Sequence, residues 1–161
     1  MITFKKYDTM ISDGDLTIID VRWGGGELAL YYEEENVTYQ ESIEANFPSC
    51  ELYIVVFDDN TKSLYRIEFE HIQGYRLLDE GGLLNFWASE NYNHKLLGSI
   101  VKVMNSPWSE ESIIPFFYSN KISCLIITDD KCVEVVTDDA PIIHFLKKVK
   151  PKDGNQLPWD E

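Results

Sequence analysis

Two β-branched runs on either side of three polar residues constrain this chain more than any other feature. Residues 121–128 (KISCLIIT) and 132–137 (CVEVVT) flank Asp129, Asp130 and Lys131. Such a pattern specifies a β-hairpin closed by a short polar turn. The same vocabulary recurs upstream. Residues 16–22 (LTIIDVR) run into Gly24, Gly25 and Gly26, and residues 27–33 (ELALYYE) read as the return strand of a second hairpin. Residues 51–57 (ELYIVVF) form a buried strand by composition, with turn residues at 58–61. In residues 63–70, Tyr65, Ile67 and Phe69 fall at alternate positions, the period of a half-buried antiparallel strand. Further short strands are expected at 72–78 and 99–104, the latter stopped by Asn105, Ser106 and Pro107.

Eight or nine candidate strands therefore recur at roughly ten-residue spacing, with no 10–15-residue helical pattern between them. A parallel sheet needs crossover helices, so the expected fold class is α+β and β-rich. It is an antiparallel meander of about eight strands with two or three short helices. One helix is expected over residues 82–89, where Leu83, Leu84 and Trp87 share a side. A second would start at Pro107, capped by Ser106, and stop before Pro115. Residues 141–147 (PIIHFLK) fit a strand and a helical turn equally well. A chain of 161 residues with 44% apolar content is long enough for one packed core. The expected organisation is a single domain over residues 1–150 followed by a polar tail over 151–161.

Charge separates the function classes. Lys and Arg number 14 against 28 Asp and Glu, a formal charge of −14. Binding to nucleic acid or to an anionic membrane calls for a basic surface, so neither is expected. The imbalance is concentrated: the 39 residues from Trp23 to Thr61 contain no Lys or Arg and nine acids. Acids at turns also keep β-rich proteins soluble and their edges unpaired. A run of this length, however, sets like charges within a Debye length of about 8 Å, which opposes folding unless a positive partner relieves it. Aromatic residues inside an acidic rim suit a protein-binding surface. The expected partner-binding residues are Trp23, Glu27, Tyr31, Tyr32, Glu33, Glu34, Glu35, Tyr39, Asp58 and Asp59.

The search for chemistry assigns no catalytic, cofactor-binding or metal-binding residue. His71, His94 and His144 are widely spaced and none has zinc-ligand spacing to a Cys or another His. Pairing of Cys50 with His71 or His144 would require the fold to bring them together. Gly24, Gly25 and Gly26 lack the Lys-Ser/Thr of a phosphate loop, and Asp13-Gly14-Asp15 lacks the remaining ligands of a calcium loop. The three cysteines, Cys50, Cys124 and Cys132, do not form a disulfide framework. Cys124 and Cys132 flank one turn, which leaves a bridge between them open, but reduced thiols in the cytoplasm are the expectation. The lysines at the N-terminus precede no apolar core of a secretory signal, and no run of 18 apolar residues exists.

Taken whole, the size, acidity and aromatic content of the chain resemble the small β-rich immunity proteins of bacterial toxin–immunity systems, including those of contact-dependent inhibition. Residues 74–81 (GYRLLDEG) with Leu84, Phe86 and Trp87, and residues 132–135 (CVEV), are similar to segments of bacterial proteins that are often of immunity type. The resemblance implies a non-enzymatic, cytoplasmic protein that occludes the active site of a cognate, basic, nuclease-type toxin domain. It transfers no functional residue one by one. Two other classes stand beside it: a non-catalytic adaptor, and a small hydrolase or ligand-binding β-protein.

Overall fold

The structure is a computed structural model. It describes residues 2–11, 15–22, 26–34, 36–45, 52–79, 88, 97–108, 121–128 and 131–150, with only the backbone considered at 26–34 and 40–45. The described residues form eleven strands, all paired antiparallel. In chain order these are β1 (Thr3–Lys6), β2 (Leu16–Arg22), β3 (Gly26–Glu34), β4 (Val37–Ala45), β5 (Leu52–Asp58) and β6 (Ser63–Phe69). Then follow β7 (Gly74–Asp79), β8 (Ile100–Met104), β9 (Ile122–Ile127), β10 (Lys131–Val136) and β11 (Ile142–Lys148). The antiparallel, β-rich reading of the sequence is met, with more strands than the eight expected. Of the two expected helices only Ala88, Pro107 and Trp108 are among the described residues, so both lie essentially outside them.

A five-stranded sheet has the order β1-β8-β9-β10-β7, a four-stranded sheet the order β11-β6-β5-β2, and β3 and β4 form a two-stranded ribbon. The main core joins the two larger sheets. Ile54, Val56, Ile67 and Phe69 from one meet Ile100, Cys124, Ile126, Val133 and Val135 from the other. Each sheet also buries its opposite face. Tyr53, Val55, Phe57 and Leu64 form a second cluster with Tyr39 of the ribbon, and Val101, Val103, Leu125 and Cys132 form a third. The central strands are therefore apolar on both sides, which is why β5 is buried at every position and β9 and β10 at nearly every one. Alternation is lost in such strands because both faces exclude water. Each large side chain so enclosed contributes about 1.5–3 kcal/mol.

Two expectations need correction. β2 and β3 do not pair as a hairpin: β2 lies beside β5, and β3 pairs with β4 across a turn in which Asn36 has φ 66°. Asn tolerates this left-handed conformation better than most non-glycine residues, which suits Asn36 to the tight turn. β4 itself was not anticipated, because its Glu and Gln content hides the alternation of Val37, Tyr39, Glu41 and Ile43. The ambiguity at 141–147 resolves as a strand. β11 pairs with β6 and has a register shift between Phe145 and Lys147, just as β2 shifts between Ile18 and Asp20. The extra residues, Leu146 and Ile19, both pack against the second cluster. These bulges turn an additional apolar side chain toward that layer without changing the pairing partner.

Candidate functional site

The acidic segment separates into two parts. Ribbon register sets Glu27 opposite Glu44, Tyr31 opposite Gln40, Tyr32 opposite Tyr39, Glu33 opposite Thr38 and Glu34 opposite Val37. Directly opposed residues and alternate positions share a face. Glu27, Tyr31, Glu33, Thr38, Gln40 and Glu44 thus fall on one face of the ribbon backbone. Tyr39 and Val37 belong to the other, which packs on the four-stranded sheet. The Glu27–Glu44 pair sets two like charges at adjoining positions, an arrangement that disfavours the ribbon in isolation.

The second part is drawn into the fold. Tyr39 is buried, with its ring 5.4 Å from that of Phe57 between centroids. Asp58 is fully buried at the end of β5 and accepts a hydrogen bond from the backbone N–H of Asn60 (3.0 Å). The Lys62 ammonium lies 2.5 Å from Asp59 Oδ1 and 5.3 Å from the centroid of the Tyr39 ring. The first cation after the acidic run therefore neutralises the acid nearest to it. The hydrogen bond to Asp59 is the main cause of a Lys62 pKa held above the usual lysine range. Of the ten residues expected to bind a partner, Glu27, Tyr31, Tyr32, Glu33 and Glu34 lie together on β3, whereas Tyr39, Asp58 and Asp59 are engaged internally. Trp23 and Glu35 lie outside the described residues.

A polar cluster that sequence reading did not anticipate sits on the outer face of the five-stranded sheet. Glu134, buried at the middle of β10, accepts from Arg76 Nε (2.9 Å) and Nη2 (2.7 Å) through Oε1. Its Oε2 accepts from the hydroxyls of Ser106 (2.6 Å) and Ser123 (2.7 Å). The Arg76 guanidinium lies 4.6 Å from the centroid of the Trp108 ring, and the Trp108 backbone N–H donates to Ser106 Oγ at 3.3 Å. Both carboxylate oxygens are satisfied, and Ser106 forms the cap-type bond expected of it. The signal in the sequence was a lone acid within the apolar run CVEVV, in a strand enclosed on both faces.

The histidines have separate surroundings. His71 Nδ1 lies 3.1 Å from Asp139 Oδ2 at an open groove of about 320 Å³, lined also by Gln73, Thr137 and Asp138. The pair is water-exposed, with 83% of the His71 side chain accessible. The neighbouring Thr137 hydroxyl donates its proton to the His71 carbonyl (2.6 Å) and accepts from Asp139 N–H (3.1 Å), so it fastens the two turns together. His144 Nε2 lies 3.2 Å from Glu68 Oε2, whose other oxygen is 2.6 Å from Arg66 Nε. His94 and Cys50 lie outside the described residues.

Cys124 and Cys132 are free, buried thiols. Cys124 faces the main core and Cys132 the third cluster, on opposite sides of one sheet, so no bridge can join them. Burial, and after it the charge of Glu134, pushes the Cys124 thiol well above the usual cysteine range. Among the described residues no group of three or more His, Cys, Asp or Glu is placed to hold a metal ion, and no helix is long and apolar enough to cross a membrane. Comparison of the chain with protein-family models, curated proteins and solved structures finds no match.

Proposed function

We propose that the protein is a binding protein of the immunity type, which neutralises a basic, nuclease-type toxin domain by docking the β3–β4 ribbon into its active-site cleft. The observation that carries this reading is the direct opposition of Glu27 and Glu44, with Tyr31 and Glu33 on the same face, inside 39 residues free of Lys and Arg. A cation inserted between the two glutamates converts a repulsive cross-strand pair into an attractive triad. Acids on the ribbon set encounter rate and selectivity, while Tyr31 supplies apolar contact area at small entropic cost. The engagement of Tyr39 with Phe57 supports the ribbon from behind, which favours a preformed docking face.

The test is association with the toxin domain encoded by the adjacent reading frame, measured against ionic strength. The association rate is expected to fall steeply as salt rises, and neutralising Glu27, Glu33 and Glu44 together to Gln should slow it about tenfold at low salt. A rate independent of both salt and these substitutions refutes the reading. A second reading, a scaffold or adaptor subunit, is favoured by Ile142 and Phe145, which are exposed on the edge strand β11. Sedimentation of the isolated chain distinguishes it, since self-association removed by Phe145→Lys supports that alternative.

A further inference from the structure

One feature of the five-stranded sheet runs against the acidity of the rest of the chain. At its β1 edge, Lys5 stands directly opposite Lys102 of β8. Like charges at directly opposed positions destabilise a strand pair. Lys102 is half-buried, and among the described residues neither it nor Lys5 has an ion-pair partner. Both line a concavity of about 290 Å³, together with Lys6, Tyr7 and Asp8. Lys5 and Lys102 share the face of the sheet that carries Cys124, so their two ammonium groups belong to the same side of this edge.

We propose that this pocket is a binding site for a phosphate group, free or carried on a small molecule. Lysines bind phosphate as mobile point charges, and a dianion placed between Lys5 and Lys102 turns their repulsion into two attractions. The two charges of this lysine pair match those of the dianion. Tyr7 also lines the pocket. Its backbone N–H is fixed to Ile100 O at 3.0 Å, and its ring packs against the main core, so the side chain is anchored at the edge of the pocket. Burial raises the Tyr7 phenol above the usual tyrosine range, so it adds no negative charge that would repel an anion. The overall charge of −14 repels anions at long range. Binding therefore rests on these short-range contacts, and it discriminates in favour of compact ligands over extended polyanions.

Titration of the full chain with inorganic phosphate, followed by phosphorus-31 NMR line width and calorimetry at constant ionic strength, tests the site. Wild type should show saturable binding. Lys5→Gln and Lys102→Gln should each weaken it about tenfold, and Lys131→Gln, an exposed lysine on β10 away from the pocket, should leave it unchanged. Without phosphate, Lys5→Gln should melt at the same temperature as wild type or higher, because it removes a like-charge opposition. A merely structural role for the lysines predicts a lower midpoint instead. Wild-type binding that never saturates, or identical binding in the Lys5→Gln/Lys102→Gln double variant, overturns the proposal. A phosphate monoester that competes with inorganic phosphate, compared with one that does not, separates a carried group from the free ion.

Discussion

Replacing Glu134 tests the physical account of the outer-face cluster most sharply. In Glu134→Gln the side chain keeps its shape and one acceptor oxygen. The favoured orientation directs that oxygen to Arg76, while the new NH2 donates to Ser106 and Ser123, whose hydroxyls can rotate to accept. What is lost is the charge on one side of an ion pair whose Arg76 side chain is only 20% exposed. The stacking of Arg76 on Trp108 partly offsets that loss. The expected cost is about 2 kcal/mol, at the level of a charge-assisted hydrogen bond reduced to a neutral one. Glu134→Leu removes every acceptor and leaves the guanidinium and two hydroxyls facing an apolar group, for about 4 kcal/mol. Arg76→Met should cost a similar amount, by stranding the carboxylate. Combined, the two apolar substitutions remove the charges together, so the double variant should be at least about 2 kcal/mol more stable than the sum of the single effects predicts. Urea unfolding at pH 7 measures all four proteins. With a slope near 2 kcal/mol per molar, Glu134→Leu should move the midpoint by about 2 M. Strict additivity, or a Glu134→Leu midpoint within about 0.5 M of wild type, would show that the pair is not energetically coupled.

Lys121 is exposed and has φ 63°, so Lys121→Gly should stabilise the chain by about 0.5 kcal/mol and Lys121→Val should destabilise it by about 1 kcal/mol, as read from thermal midpoints. In a Cys50→Ser background, Cys124 and Cys132 should resist a thiol reagent in the native state and react only on unfolding; rapid native labelling would contradict their burial. The raised pKa of Cys124 has a defined sign: above about pH 8.5 the unfolded thiol ionises while the folded one stays protonated. Stability should therefore fall as pH rises from 8.5 to 10, and Cys124→Ala should flatten that slope; an unchanged slope would sink the assignment. Lys62→Met should cost less than about 1 kcal/mol despite the short contact to Asp59, because the Lys62 side chain is 39% exposed and water screens the pair.

Much of the secondary structure was legible because local chemistry fixed it. β9 and β10 follow from β-branched runs that cannot be amphipathic helices, joined where Thr128 and Lys131 exchange hydrogen bonds: Thr128 N–H to the Lys131 carbonyl at 2.9 Å, and Lys131 N–H to Thr128 Oγ1 at 3.1 Å. Tyr65, Ile67 and Phe69 face the main core as their spacing required. Less was legible at the candidate sites. An acid in the sequence looks the same whether solvated or enclosed, so Asp58 read as surface although the end of β5 buries it. Arg76 and Glu134 meet across 58 residues, and Lys5 and Lys102 across a pairing of β1 with β8 that no local pattern announces.

By itself, then, the order of residues determined strand character, turn chemistry and the concentration of negative charge, because those depend on neighbours within a few positions. Outside the local β9–β10 hairpin, partner choice was decided only by the assembled molecule. β2 turned to β5 and not to β3, and IIHFLKK became a strand only because β6 offered an edge. The physical reason is that pairing free energy comes from burying two faces at once, and which faces meet depends on every other layer of the fold.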